Sequence, residues 1–370
     1  MDKFILAPGP TQCRPELLEV LSEPVMYHRS SDFRKMYQKT REQLAEMMGL
    51  NDGEVLILTS SGTGSMEASV ANFFNANDHV LVISIGHFGH RFQEICEAYG
   101  LNATMLDYPI GETYDFAEVK TYIENHQDLK GVFITHHETS SGVLNALKPV
   151  GDLVCKLPDC LLIVDSISGF LAHPMAMSDW HIDCLLASSQ KGFLIPPGIA
   201  MAGLSRKAIQ ALDRGHLPRY YNDFRKYLSM LDVNETPFTP NISLMAALHK
   251  SCSYLMAYGL ENYYAHHYEL RTYLAAALKN MGLDTDVVKE ENRGNVLVLV
   301  RLKEGMNAKT VHDVLDERGF IIATGFGENK TKMLRIGVIG EVCKADIDRF
   351  LVTFREVLEE LYGPMKGGNV

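Results

Sequence analysis

Residues 182–192 read Ile182-Asp183-Cys184-Leu185-Leu186-Ala187-Ser188-Ser189-Gln190-Lys191-Gly192. The run 182–187 is the pattern of a strand buried on both faces. It places one amine, Lys191, just beyond a strand end. Small residues before it and Gly192 after it let a bulky ligand approach the backbone, and Pro196-Pro197-Gly198 stops a helix from following. Alone, such a lysine reads as a solvated loop residue. Its meaning depends on what other strands deliver to the same edge.

The preceding chain alternates strands and helices. An extended turn, Ala7-Pro8-Gly9-Pro10-Thr11, is followed by a helix from about Glu16. A long amphipathic helix then reaches Met48, with Ser31 or Asp32 as its cap and Gly49 as its stop. Strands are expected over 54–59, 79–85, 103–106, 131–135 and 161–164. Helices are expected over 66–74, 91–99, 116–125 and 150–156. Continuous apolar strands alternating with helices predict an α/β fold with a mostly parallel sheet covered on both faces. In such sheets ligands collect beyond the carboxyl ends of the strands.

Those ends carry the chemistry. Strand 54–59 runs into Ser60-Ser61-Gly62-Thr63-Gly64-Ser65, where free N–H groups and a helix dipole suit a phosphate. The turn has neither the Gly-Lys-Ser/Thr of a Walker loop nor GxGxxG spacing, so spacing alone leaves it between a phosphate cradle and an ordinary turn. Strand 131–135 leads to His136-His137-Glu138-Thr139-Ser140-Ser141-Gly142, and strand 161–164 to Asp165-Ser166. An aspartate, a lysine, hydroxyls and a glycine-rich turn on one edge point to a phosphorylated aldehyde cofactor rather than to a nucleotide. Lysine forms a Schiff base with a carbonyl, and an aspartate facing a pyridine nitrogen favours its protonated form.

Composition agrees with an acidic, soluble protein. The 370 residues are 46% hydrophobic and 22% charged, with a net charge of -11 and no dense basic block, which argues against a nucleic-acid partner. No apolar run approaches a membrane span. Seven cysteines without a CxxC pair suit a reducing, cytoplasmic setting and make zinc improbable. His136, His137 and Glu138 are neighbours in an extended segment and cannot easily share one ion, so no metal is expected. No Gly-x-Ser-x-Gly elbow is present.

Pro8-Gly9-Pro10, His28-Arg29-Ser30, Ser61-Gly62-Thr63-Gly64, His137 to Val143, Asp165-Ser166, Ser189-Gln190-Lys191 and Leu334-Arg335-Ile336-Gly337 together resemble the class V pyridoxal-phosphate aminotransferases. The nearest branch is the alanine/serine:glyoxylate (or pyruvate) enzymes. The resemblance implies the fold of aspartate aminotransferase, with a seven-stranded-type sheet in a large domain and a small C-terminal α+β domain. It implies Lys191 as the covalent anchor of pyridoxal 5'-phosphate, Asp165 at the pyridine nitrogen, Phe88 stacked on the ring and Thr139 at its phenolic oxygen. Ser61, Gly62, Thr63 and Gln190 would hold the phosphate, with Thr236 or Thr239 added from the partner of a homodimer. Arg335 would grip the substrate carboxylate, with Pro8 and Gly9 beside it.

The domains are expected as an N-terminal segment 1–20, a large domain 21–257 and a small domain 258–370. The small domain reads as a helix through Met281, strands 295–302, 320–323 and 332–338, a helix 308–318 capped by Asn307, and a helix 344–362 before a frayed glycine-rich tail 363–370. The function implied is amino transfer from alanine or serine to glyoxylate or pyruvate. Aspartate and 2-aminoethylphosphonate are alternative donors, and a non-catalytic cofactor- or nucleotide-binding module is a further alternative. A cysteine desulfurase would need a reactive cysteine ahead of the Arg335 strand, and Gly325-Phe326-Gly327-Glu328-Asn329-Lys330 has none.

Overall fold

A computed structural model describes residues 3–365. The expected tail lies partly outside the described residues, which end at Met365. The main sheet has seven strands in the order Gly53–Leu58, Ala200–Ser205, Cys184–Ser188, Leu161–Asp165, Gly131–Thr135, His79–Ser84 and Asn102–Asp107. Four of its six pairings are parallel, and Gly53–Leu58 joins the rest through one element that the alternation did not reveal. That strand, Ala200–Ser205, is antiparallel to both neighbours, whereas the other pairs are parallel. Its small residues, AMAGLS, carry little strand propensity. Burial on both faces makes the strand, and Gly203 lets the sulfurs of Met48 and Met177 approach.

Expected elements shift mainly at their starts. The long helix is Ser31–Met48, and its cap is Ser30 rather than Ser31 or Asp32, because the Ser30 hydroxyl accepts from Phe33 N. Gly49 ends it at φ 62°, in the left-handed region that glycine tolerates. The helix after the glycine-rich turn begins at Gly62, with Ser61 as cap, and the next begins at His87 rather than at Arg91. The helix expected from about Tyr258 through Met281 is Leu260–Asn280, and a further helix, Ile242–Tyr258, precedes it across the break at Gly259.

A second sheet orders Leu297–Arg301, Met333–Gly337 and Ala323–Thr324, all antiparallel, under the helices Leu260–Asn280, Ala308–Glu317 and Lys344–Tyr362. It has its own apolar core, including Leu274, Val298, Leu334, Ile336, Phe350 and Phe354. Leu6 belongs to that core, and Phe4–Ile5 pairs in parallel with Phe320–Ile321. The N-terminal segment therefore starts in a separate two-stranded pairing against the second core and crosses to the large sheet.

Candidate active site

Three neighbouring parallel strands end at the site, as their sequence order required. The Cys184–Ser188 strand is followed by a turn whose Lys191 side chain folds back under the N-terminal segment. Lys191 Nζ donates to Pro8 O at 2.7 Å. Gly9 is the close approach: a Cβ there would run into the amine and come within 2.7 Å of Lys191 Cε. Thr11 locks the crossing, its N–H donating to Gln190 O at 3.1 Å and its hydroxyl reaching Lys191 O at 3.2 Å. Burial brings the Lys191 amine down to about 8; Arg335 and Arg91 add to that effect and Asp165 opposes it.

Asp165 closes the neighbouring strand and is 3% exposed. Its Oδ1 accepts from Ile167 N at 2.9 Å, and no other donor reaches the carboxylate among the described residues. Burial lifts it to about 6, with Glu138 adding to the rise and the Ile167 N–H, Lys191 and Arg91 opposing it. A buried carboxylate with room for one more donor suits a protonated ring nitrogen.

The glycine-rich turn starts the helix Gly62–Phe73. Ser61 Oγ accepts from Gly64 N at 3.1 Å, so Gly62 and Thr63 N–H remain without acceptors in the helix's first turn. Ser61 and Thr63 are exposed, and Gly62 is buried against Ile167. These donors and the dipole behind them fit a phosphate. With a buried amine, a buried acid and an anion cradle, the residues present fit pyridoxal phosphate.

Arg335 stands on the middle strand of the small sheet. Its Nε donates to Thr324 O at 2.7 Å and its Nη1 to Thr139 O at 3.3 Å. No carboxylate pairs with it among the described residues, and burial lowers it to about 10 against the raising effect of Glu138. A half-buried guanidinium held only by carbonyls has donors left for an incoming carboxylate. Thr139 is buried beside it, and its hydroxyl takes no protein partner among the described residues.

Phe88 is half-buried on the helix His87–Ala98, with the Arg91 guanidinium 4.6 Å from its ring centroid. Arg91 also donates to Thr63 Oγ1 at 3.1 Å. Sequence reading passed over Arg91 because the helix was expected to start there. With the start at His87, Phe88 and Arg91 are three apart on one face, a spacing that signals contact. Glu138 was likewise set aside. Fully buried, its carboxylate accepts from Phe88 N at 2.8 Å and from Ser140 N at 2.9 Å, tying the start of that helix to the Thr139 segment.

Two expected residues stand apart. Thr236 is buried with its hydroxyl donating to Phe238 O at 2.7 Å, whereas Thr239 is exposed. Arg29, of the His28-Arg29-Ser30 motif, pairs with Glu235 together with Arg34. Among the described residues, no group of three or more His, Cys, Asp or Glu side chains could hold a metal ion.

The family profile described as Aminotransferase class-V matches residues 11–350. The L-aspartate–glyoxylate aminotransferase of Paracoccus denitrificans is 31% identical over 371 residues, covering 99% of this chain and 93% of that protein. The serine–glyoxylate aminotransferase of Hyphomicrobium methylovorum is 30% identical over 345 residues, covering 91% of this chain and 84% of its own. A crystal structure of an alanine–glyoxylate aminotransferase from Nostoc sp. superposes with a TM-score of 0.92 at 27% identity, covering 97% of this chain and 96% of that one. The shared fold, the match along nearly the whole chain and the lysine-bearing site agree: this protein belongs to the class V aminotransferases, enzymes that carry out transamination with pyridoxal phosphate.

Proposed function

We propose that the protein transfers the amino group of an amino acid with a short side chain to glyoxylate, with pyruvate as a second acceptor. The observation that carries this reading is Arg335: one cation, anchored by two backbone carbonyls and unpaired with any carboxylate among the described residues, in the same electrostatic neighbourhood as the Lys191 amine. One fork suits one carboxylate. With Arg29 held by Glu235, the reading favours alanine and serine over a dicarboxylic donor.

Pyridoxal phosphate, when bound, supplies a ring that takes up the electron pair left when a bond at the substrate Cα breaks. The chain does the rest. Arg335 orients the substrate through its carboxylate. Asp165, whose charge a ring cation would favour, holds a proton at the ring nitrogen. Lys191, lowered to about 8 by burial, is partly neutral at neutral pH; its amine would bond the cofactor's aldehyde carbon with loss of water and, once displaced from that carbon by the substrate amine, would carry a proton to and from Cα. Gly62 and Thr63 N–H with Gln190 would hold the phosphate.

A cytoplasmic homodimer is part of the reading. The exposed apolar side chains Val25, Tyr27, Tyr220 and Tyr221 support a subunit contact, and exposed Thr239 is free to reach a partner's phosphate. So is the division into large and small domains near residue 258, supported by the two separate cores and the helix break at Gly259. No helix among the described residues is long and apolar enough to cross a membrane.

The test is a panel of donors, alanine, serine, aspartate and 2-aminoethylphosphonate, each against glyoxylate and pyruvate. Alanine or serine with glyoxylate is expected to be fastest, and clear preference for aspartate or the phosphonate overturns the short-side-chain reading. Lys191→Ala is expected to retain cofactor binding while turnover falls roughly 10²–10⁴-fold. Turnover near wild type removes Lys191 from the chemistry.

A further inference from the structure

Phe326 lies in residues 325–331, the loop between the Ala323–Thr324 strand and the Met333–Gly337 strand that carries Arg335. Its ring touches three groups of the candidate site. The Arg335 guanidinium carbon is 4.2 Å from the ring centroid. The His87 imidazole stacks on the ring, with centroids 4.2 Å apart and planes at 14°. Phe88 meets it edge-on at 6.3 Å and 89°. The ring thus contacts both a cation and a stacked imidazole.

His87 and Phe88 stand on a helix of the large sheet, and Phe326 and Arg335 on the small one, so this stack joins the two across the site. Beyond the ring is a cleft of about 370 Å³, lined among others by His87, Tyr108, Ile110, Ser140, Phe326 and Asn329. Phe326 lines that cleft and Arg335 does not. The ring stands between the carboxylate-binding cation and a space large enough for a long side chain.

We propose that Phe326 is a positioning and specificity-determining residue: it holds the Arg335 guanidinium in the plane that meets the substrate carboxylate, and it closes the site toward the cleft so that short amino donors are preferred to long ones. The proposal rests on the transaminase reading and names what enforces its short-side-chain preference. Among the described residues Arg335 keeps two hydrogen bonds to the protein, one of them 3.3 Å long, and a guanidinium so lightly tethered swings unless a face contact holds its plane. His87 stacks on the ring, and burial, Arg91, Arg335 and His90 disfavour its proton, with Glu94 opposing. The neighbouring Gly325 and Gly327 shape the turn. A Cβ at Gly325 would come 2.5 Å from Asn329 O, and Gly327 has φ 52°.

The experiment compares wild type with Phe326→Leu, Phe326→Ala and Phe326→Tyr. Two quantities are read on the cofactor-loaded proteins. The first is the dissociation constant of 2-methylalanine, which cannot lose a Cα proton, from the change in cofactor absorption. The second is kcat/KM with glyoxylate for alanine, 2-aminobutyrate and norvaline. In Phe326→Leu, loss of the cation–π face is expected to raise both the 2-methylalanine dissociation constant and the KM for alanine about 5- to 30-fold, with kcat changed less than about 3-fold. Phe326→Ala is expected to do the same and to raise the norvaline-to-alanine ratio about 10-fold or more, since each extra methylene then finds room. Phe326→Tyr restores the face and the wall, and is expected to bind and discriminate as wild type.

If Phe326→Ala, or Phe326→Leu where the alanine variant does not fold, binds 2-methylalanine within about 2-fold of wild type, the positioning role is wrong. An unchanged norvaline-to-alanine ratio in Phe326→Ala removes the wall. If wild type transaminates no donor, the functional reading fails by itself, and 2-methylalanine binding still decides the role of Phe326. If wild type transaminates alanine while the variants match it, only the role of Phe326 falls.

Discussion

The amine of Lys191 rests 2.7 Å from the carbonyl oxygen of Pro8, a residue 183 positions earlier in the chain. This contact joins the N-terminal segment, which begins against the second core, to the strand end of the large sheet. It also means that the amine points at the place where Gly9 leaves room for it.

Gly9 has φ 143°, and any side chain there collides with the Lys191 amine. Gly9→Ala is expected to cost turnover about 100-fold or more while leaving the fold intact, because an aliphatic branch displaces the group that moves protons. Circular dichroism and the cofactor's visible absorption check it. A variant that keeps wild-type absorption and turnover shows that the segment yields without consequence.

Asp165 predicts a pH signature in the cofactor-free protein. Its pKa is raised from the ordinary carboxylate value of 3.8 to about 6, so between those values the folded chain holds a proton that the unfolded chain has lost. Stability then falls as pH rises through that window, and the buried charge remains as a penalty above it. Asp165→Asn is therefore expected to stabilise the cofactor-free protein at pH 7.5 by on the order of 3 kcal/mol at most, with no gain at pH 4. Cofactor binding is expected to reverse the order, since only the carboxylate pairs with a ring cation. Urea melts at the two pH values, with and without pyridoxal phosphate, measure this.

Arg335→Gln removes the charge and the fork, and is expected to raise the KM for amino donors about 10- to 100-fold while kcat falls less. Arg335→Lys keeps the charge without the fork and is expected to fall in between. Steady-state kinetics with alanine decide it, and equal KM values for all three proteins exclude Arg335 from carboxylate binding.

Arg91 braces two groups on the cofactor side of the site, Phe88 by its face and Thr63 by a hydrogen bond. Arg91→Gln is expected to raise the dissociation constant of pyridoxal phosphate about 10-fold and to leave the KM for amino donors near wild type. Equilibrium dialysis against the cofactor separates the two, and unchanged affinity means that Arg91 supports neither group.

The sequence by itself determined the parallel architecture and the edge at which the chemistry collects. Period and burial are local: runs such as 131–135 and 161–164 have apolar side chains in continuous register, and whatever follows such a strand lands at its end. Lys191, Asp165, Thr139 and the Ser61–Thr63 turn were therefore legible one strand at a time. The motifs as a set then named the family. What failed locally failed for a local reason. Ala200–Ser205 has no strand-forming composition, and the helix at His87 starts after Gly86 without a side-chain cap to announce it.

Only the tertiary structure decided which distant groups meet. Nothing in the sequence around Gly9 states that an amine 182 residues later needs the space of its missing Cβ. Nothing around Phe326 states that its ring meets both Arg335 and His87. Glu138 reads as a polar residue in a loop, yet it is wholly buried with its oxygens satisfied by N–H groups of two segments. Such contacts depend on how one sheet sits against the other, and close packing of nonlocal side chains leaves no periodic trace along the chain.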